Sequence, residues 1–165
     1  MADAAWTGDG FSRYPEAGWK AYVALHQALL SRTPQAALEE FPEGKEILPW
    51  IAERRRAWID AGFDAHDYLY QSWAYDAHDV GATRGFGGFG GDWRRALASV
   101  QASTLVMTPP LDLYNPSECG AAAAGAMPRA QHVVIRSVQG HQAANVASEA
   151  DVAFMNSEIA AFLRR

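Results

Sequence analysis

Only one cysteine, Cys119, occurs in the chain, so no internal disulfide framework can staple it, and a lone thiol suits a reducing cytoplasm. No apolar run approaches the roughly 20 residues needed to span a bilayer. The opening stretch, MADAAWTGDG, lacks the basic region and apolar core of a secretory signal. A cytoplasmic location without a membrane partner is the expectation. Positive charge is also scarce: the formal net charge is −5, which leaves no basic field for nucleic acid. The one arginine cluster, Arg54, Arg55 and Arg56 in ERRRAW, sits inside a helical pattern, where it reads as a solvated face or a contact with an anionic group of a partner. Metal-ligand spacing is missing too. His26, His66 and His78 fall on helical segments, and DAHDY and DAHDV each fail to set two ligands on one helical face, so no metal site is expected.

What the chain does have is apolar material, 49% of its 165 residues, enough for one domain with a real core. Two unlike halves follow. Residues 1–17 lead into a helical part, 18–83. There WKAYVALHQALL carries an apolar stripe, ILPWIAERRRAWI continues the theme beyond Pro49, and a Tyr-rich segment repeats Tyr68, Leu69, Ser72, Trp73 and Tyr75 at spacings of three and four. A Gly-rich connector, 84–91, separates this from residues 92–165, where helix and strand alternate. DWRRALASV reads as a short helix capped by Asp92, STLVMT as a buried strand, PSECGAAAAGAMP as a helix with proline in its first turn, and QHVVIRS as a second strand. The closing SEADVAFMNSEIAAFLRR is an amphipathic helix with Val152, Met155, Ile159, Phe162 and Leu163 on one stripe. Strand, helix, strand, helix at these lengths predicts an α/β fold: a parallel sheet covered by helices.

The connector contains Gly85, Gly87 and Gly90 in the spacing G-x-G-x-x-G. That spacing binds a dinucleotide only when a buried strand precedes it and a helix opens from it. Here a helical pattern precedes it, so the glycines read as a flexible turn and not as a phosphate cradle. Phe86 and Phe89 argue against a purely solvated linker and suggest that the loop tucks onto a neighbouring surface. Cys119 falls among small residues and reads as part of a closely packed helix, not as a nucleophile.

In an open parallel sheet, reactive side chains gather in loops at the carboxyl ends of strands. Two such loops exist. TPPLDLYNP carries Asp112 and VQGHQAAN carries His141. An aspartate in a Pro-rich loop is often a mere turn former, and a histidine after glycine a mere loop residue. Their equivalent placement after consecutive strands favours a joint role. A carboxylate that accepts the ring N–H fixes the histidine tautomer and stabilises the imidazolium formed when the other nitrogen takes a proton. His132, inside the strand pattern, reads as structural. The third member of such a triad has no candidate: Ser12, Ser31 and Ser72 come early enough, but none follows a strand in a G-x-S-x-G turn.

The segments GFDAHDYLYQSWAYDAHDVG, DWRRALASVQASTLVMTPPLDLYNPSE and QHVVIRSVQGHQA resemble, in that order, the lid and carboxyl-terminal portion of the homoserine O-acetyltransferase branch of the α/β-hydrolases. ADAAWTGDGFSRYPEAGW is similar to the stretch where that family enters its helical lid. The resemblance implies the carboxyl-terminal part of an α/β-hydrolase fold, a helical lid followed by two parallel strands with flanking helices. It also implies a serine acyl-enzyme mechanism with Asp112 as the acid and His141 as the base. The serine and oxyanion hole would then come from a separate amino-terminal polypeptide, making the assembly heteromeric, with a small-molecule acyl substrate and higher oligomers formed through the lid helices. No bound cofactor is expected, acyl-CoA being a co-substrate. Where the acetyltransferases carry an acid after the histidine this chain has Gln142, which turns the expectation from homoserine toward hydrolysis or another acceptor. The competing expectation is a non-catalytic structural or partner-binding subunit with hydrolase-like architecture.

Overall fold

The computed structural model describes residues 3–85, 87–145 and 148–165; Phe86, one of the two connector phenylalanines, lies outside them. The contacts divide the chain into two compact units. One comprises the chain up to Leu29 together with Ala37–His78, and the other comprises Leu30–Ala36 with Asp79–Arg165.

The first unit is helical. Helix α1, Glu16–Leu25, passes into a wider π-helical turn, His26–Leu30; α2 follows at Pro34–Glu40, α3 at Ile47–Asp60 and α4 at Ala65–Ala77. The helical segments expected in this part thus fall on α1 with its π-helical turn, on α3 and on α4. Pro49 does not interrupt α3 because it falls in the first turn, whose N–H groups have no intrahelical partner to lose. Asp64 caps α4 by accepting from the His66 amide at 2.6 Å. Helices α1, α3 and α4 meet through rings. Trp19 stacks on Tyr22 with centroids 5.6 Å apart and meets Tyr68 edge-on at 5.3 Å, while Trp58 stacks on Tyr68 at 5.7 Å. Such pairs add about 0.5–1.5 kcal/mol each beyond the area they bury. Burial pushes the Tyr68 phenol above its ordinary value. In the arginine cluster, Arg54 lies over the Trp50 ring at 5.5 Å.

The second unit holds the sheet. Helix α5, Trp93–Ala98, opens from Asp92, whose carboxylate accepts from the amides of Arg94 and Arg95. Strand β1, Thr104–Thr108, is followed by α6, Ser117–Ala126, and strand β2, Ala130–Val134. The strands pair in parallel with Thr104 opposite Ala130 and Thr108 opposite Val134, so both finish at the same level. Helix α6 packs across both strands, and α5 packs on α6. Proline sits at the N-cap of α6, as Pro116, one position ahead of the expected first turn. A short 3₁₀ turn, Gly140–Asn145, precedes α7, Glu149–Leu163, which Ser148 caps. The expected apolar stripe of α7 is only partly covered: Ile159 is 42% exposed and Leu163 75%. No described helix is long and apolar enough to cross a membrane.

The Gly-rich connector closes on itself. Gly91 donates to the Gly81 carbonyl at 3.0 Å, and a Cβ on Gly81 would lie 2.6 Å from the backbone of Gly91. Helix α5 follows the loop, but the element upstream is α4, not a strand. The context that gives G-x-G-x-x-G its meaning is thus missing here.

The small residues of α6 have a steric cause at one position. A Cβ on Gly120 would lie 2.5 Å from the Thr108 methyl, whereas one on Gly125 would meet nothing within 4 Å. Alanine favours a helix interior over glycine by up to about 1 kcal/mol, and overpacking costs about 1–3 kcal/mol. Urea denaturation should therefore give opposite signs on one helix: Gly125→Ala stabilising by up to about 1 kcal/mol, Gly120→Ala destabilising by about 1–2 kcal/mol. Equal effects would show that α6 does not pack this closely on β1.

Candidate functional site

Because the two strands end level, their following loops start side by side. The first loop carries Asp112 four residues past β1, and the second carries His141 seven residues past β2. Leu111 adopts φ 59, a left-handed conformation that costs a non-glycine residue about 1–2 kcal/mol, immediately before the aspartate. The Asp112 carboxylate is then fixed from both sides. Its Oδ1 accepts from the amides of Tyr114 at 2.8 Å and Asn115 at 3.0 Å, an Asx turn. Its Oδ2 lies 3.1 Å from Nδ1 of His141. The aspartate side chain is 2% exposed and the histidine 27%, so the acid is sealed while the imidazole keeps an open side.

A carboxylate can only accept, so the contact assigns the proton to Nδ1 in the neutral ring and leaves Nε2 as the acceptor nitrogen. The Tyr114 ring packs on the imidazole with centroids 4.8 Å apart. Such a pair can take a proton at Nε2 and hold the resulting imidazolium against a buried anion.

The histidine loop is tied at three further points. Ser137 donates to the buried carboxylate of Asp151 at 2.9 Å and accepts from the Gln139 amide at 3.1 Å, which joins the loop to the start of α7. Thr33, 3% exposed, donates its hydroxyl to the Val138 carbonyl, and the same oxygen caps α2 by accepting from the Ala36 amide at 3.1 Å. The Gln142 amide donates to the Ser31 carbonyl at 3.2 Å. Gly140, with φ 56, threads between these supports: a Cβ there would lie 3.1 Å from the Thr33 methyl and 3.3 Å from the Leu111 carbonyl. Beneath the aspartate loop, Thr108 links Ser117 at 2.8 Å and Nε2 of His132 at 2.7 Å, closing the loop at its base and giving His132 a structural partner.

The structure thus brings Asp112 and His141 together. Sequence reasoning missed Thr33, Tyr114 and the Ser137–Asp151 pair. Thr33-Pro34 does read as a helix cap followed by proline, but its second partner lies 105 residues away. Ser12 is engaged elsewhere, donating to the Ala5 carbonyl, and Ser72 lies within α4. Cys119 is exposed on α6.

No protein-family model matches the chain, and no curated protein matches it significantly. Among the solved structures similar in fold are two ester hydrolases. An acetylester hydrolase from Corynebacterium glutamicum is 21% identical with a TM-score of 0.78, over 99% of this chain and 46% of that one. The acetyl esterase MekB is 18% identical with a TM-score of 0.74, over 90% of this chain and 42% of that one. At this identity the likeness shows the fold, the mixed α/β architecture of these esterases. The chain spans less than half the length of either.

Thr33 serves a helix and the histidine loop with one hydroxyl. Thr33→Val should lower stability by about 1–3 kcal/mol, the loss of a cap and a buried donor together. It should also speed hydrogen exchange at the Gln139 and Gln142 amides. Thr33→Ser should keep most of both. Loss of stability without faster exchange at those two amides would show that the hydroxyl does not hold the loop.

Proposed function

We propose that this chain is the carboxyl-terminal part of an ester-hydrolysing α/β-hydrolase, supplying the acid and the histidine to a serine on a separate amino-terminal polypeptide. The single observation that carries the reading is the Asp112–His141 contact, 3.1 Å long and delivered by the ends of adjacent parallel strands. That chain order, acid then histidine, is the order of this hydrolase architecture. The two fold neighbours act on acetyl esters, which favours hydrolysis over transfer to homoserine, as does Gln142 after the histidine. The half-exposed strands also support the reading, since parallel strands are ordinarily covered on both faces and flanked by others.

In this mechanism the serine oxygen attacks the ester carbonyl while its proton passes to Nε2 of His141. Asp112 holds the ring by Nδ1 and stabilises the imidazolium. The same proton goes to the departing alkoxide, leaving an acyl-enzyme. Water then gives a proton to Nε2 and its oxygen attacks the acyl carbon; the proton returns to the serine and the acid leaves. Oxyanion donors come from the amino-terminal part.

The test uses the native preparation with whatever copurifies. A fluorophosphonate probe should label a stoichiometric second polypeptide, and p-nitrophenyl acetate should be turned over. His141→Ala should lower kcat by about 10⁶-fold, and Asp112→Asn by about 10⁴-fold, with the assembly still intact. Unchanged turnover in either variant overturns the roles. A homogeneous 18.0 kDa species that is inert and unlabelled favours the non-catalytic subunit instead.

A further inference from the structure

We propose that Tyr114 is a positioning residue for His141: its ring lies against the imidazole and keeps Nε2 aimed while Asp112 holds Nδ1. The kinetic consequence rests on the proposed hydrolysis, whereas the restraint on the imidazole does not.

Side-chain torsions separate an imidazole from its backbone, so a fixed loop does not by itself fix the ring. The supports around His141 act on the chain. Thr33 holds the Val138 carbonyl, Ser137 the Gln139 amide, and the Ser31 carbonyl the Gln142 amide. Asp112 reaches the ring itself, but at one atom, Nδ1, 3.1 Å away. One contact at an edge sets the place of that nitrogen and lets Nε2 swing about it. Since 27% of the histidine side chain is open to solvent, enclosure alone does not stop the swing. A second contact on the ring does. The Tyr114 ring supplies it, with centroids 4.8 Å apart and planes tilted by 49°. At that separation the rings touch, and turning the imidazole would drive one into the other.

The same carboxylate places both rings. Oδ1 of Asp112 accepts from the Tyr114 amide at 2.8 Å, and Oδ2 faces Nδ1 of His141. The backbone of one aromatic residue and the edge of the other are thus anchored to one group, and the contact between the rings closes a triangle. Beyond Tyr114 the loop is held as well. The Asn115 amide donates to the same Oδ1 at 3.0 Å, and Ser117, just past Pro116, is bonded to Thr108 at 2.8 Å. Tyr114 does not have the burial of a core residue. It is 39% exposed, and its loop neighbours Leu111 and Leu113 are 70% and 64% exposed.

The experiment compares Tyr114→Leu, Tyr114→Phe and Leu113→Ala with the wild type. NMR on the chain follows the His141 ring protons and its Nδ1–H, assigned by their loss in His141→Ala. In the wild type, nuclear Overhauser contacts should join the Tyr114 and His141 rings, and three-bond couplings should report a single His141 χ1 rotamer. Tyr114→Leu should shift the ring protons, average the couplings and speed solvent exchange of Nδ1–H by about fivefold or more. Tyr114→Phe, which keeps the ring, and Leu113→Ala, in the same loop, should leave all three unchanged. With p-nitrophenyl acetate and the native preparation, Tyr114→Leu should lower kcat by about tenfold or more with KM changed by no more than about twofold, and Tyr114→Phe should restore kcat. A wild type without turnover defeats the hydrolase reading, and the NMR then decides the positioning by itself. Unaltered His141 signals in Tyr114→Leu, equal changes in Tyr114→Phe or Leu113→Ala, or a loss of activity confined to KM would each overturn the proposal. So would averaged His141 couplings in the wild type, a result that needs no variant to fold.

Discussion

The second unit is organised around one carboxylate whose hydrogen-bonding capacity is divided. Two backbone amides of its own loop hold Oδ1 of Asp112, and the imidazole of His141 takes Oδ2. A buried carboxylate without such partners would be too costly to keep charged. Its loop is therefore shaped to supply the amides, even to the point of forcing Leu111 into a left-handed conformation. Once the carboxylate is fixed, the histidine has a defined tautomer and a defined direction. Parallel pairing provides the remaining condition, because strands that finish level bring two loops far apart in sequence to the same rim.

The histidine is restrained by geometry as much as by its acid. Its loop is gripped by a hydroxyl from ahead of α2, by a serine–aspartate contact at the start of α7, and by a close passage at Gly140 that leaves little room for a side chain. These groups bond to the backbone and to other side chains, and so fix where the histidine's backbone runs. A one-ångström displacement matters when a ring must reach both a carboxylate and a reacting hydroxyl, so supports of this kind belong to the function of such a pair even though they do no chemistry.

Much of this was legible from local pattern. The strands β1 and β2, the cap at Asp92 and the loops bearing Asp112 and His141 follow from rules that act over a few residues, although β2 ends at Val134, three residues before the expected end of QHVVIRS. What escaped depends on distant partners. Thr33 reads as a cap, but nothing nearby reveals that it also reaches Val138. The Tyr-rich helix announces its period, yet its periodicity cannot say that Tyr68 meets Trp19 from α1 and Trp58 from α3. Apolar stripes mislead in the opposite way. Val152 to Leu163 on α7 have the period of a core face, but period reports which residues share a side and not whether anything covers it.

That last distinction bears on the sheet as well. Among the described residues the sheet has two strands, and Val134 at the end of β2 is 42% exposed. A parallel pair gains stability from burial on both faces, and an uncovered strand edge presents unpaired backbone groups to any strand of matching length. Pairing with further strands would satisfy those groups in bulk, with no demand on a particular side chain.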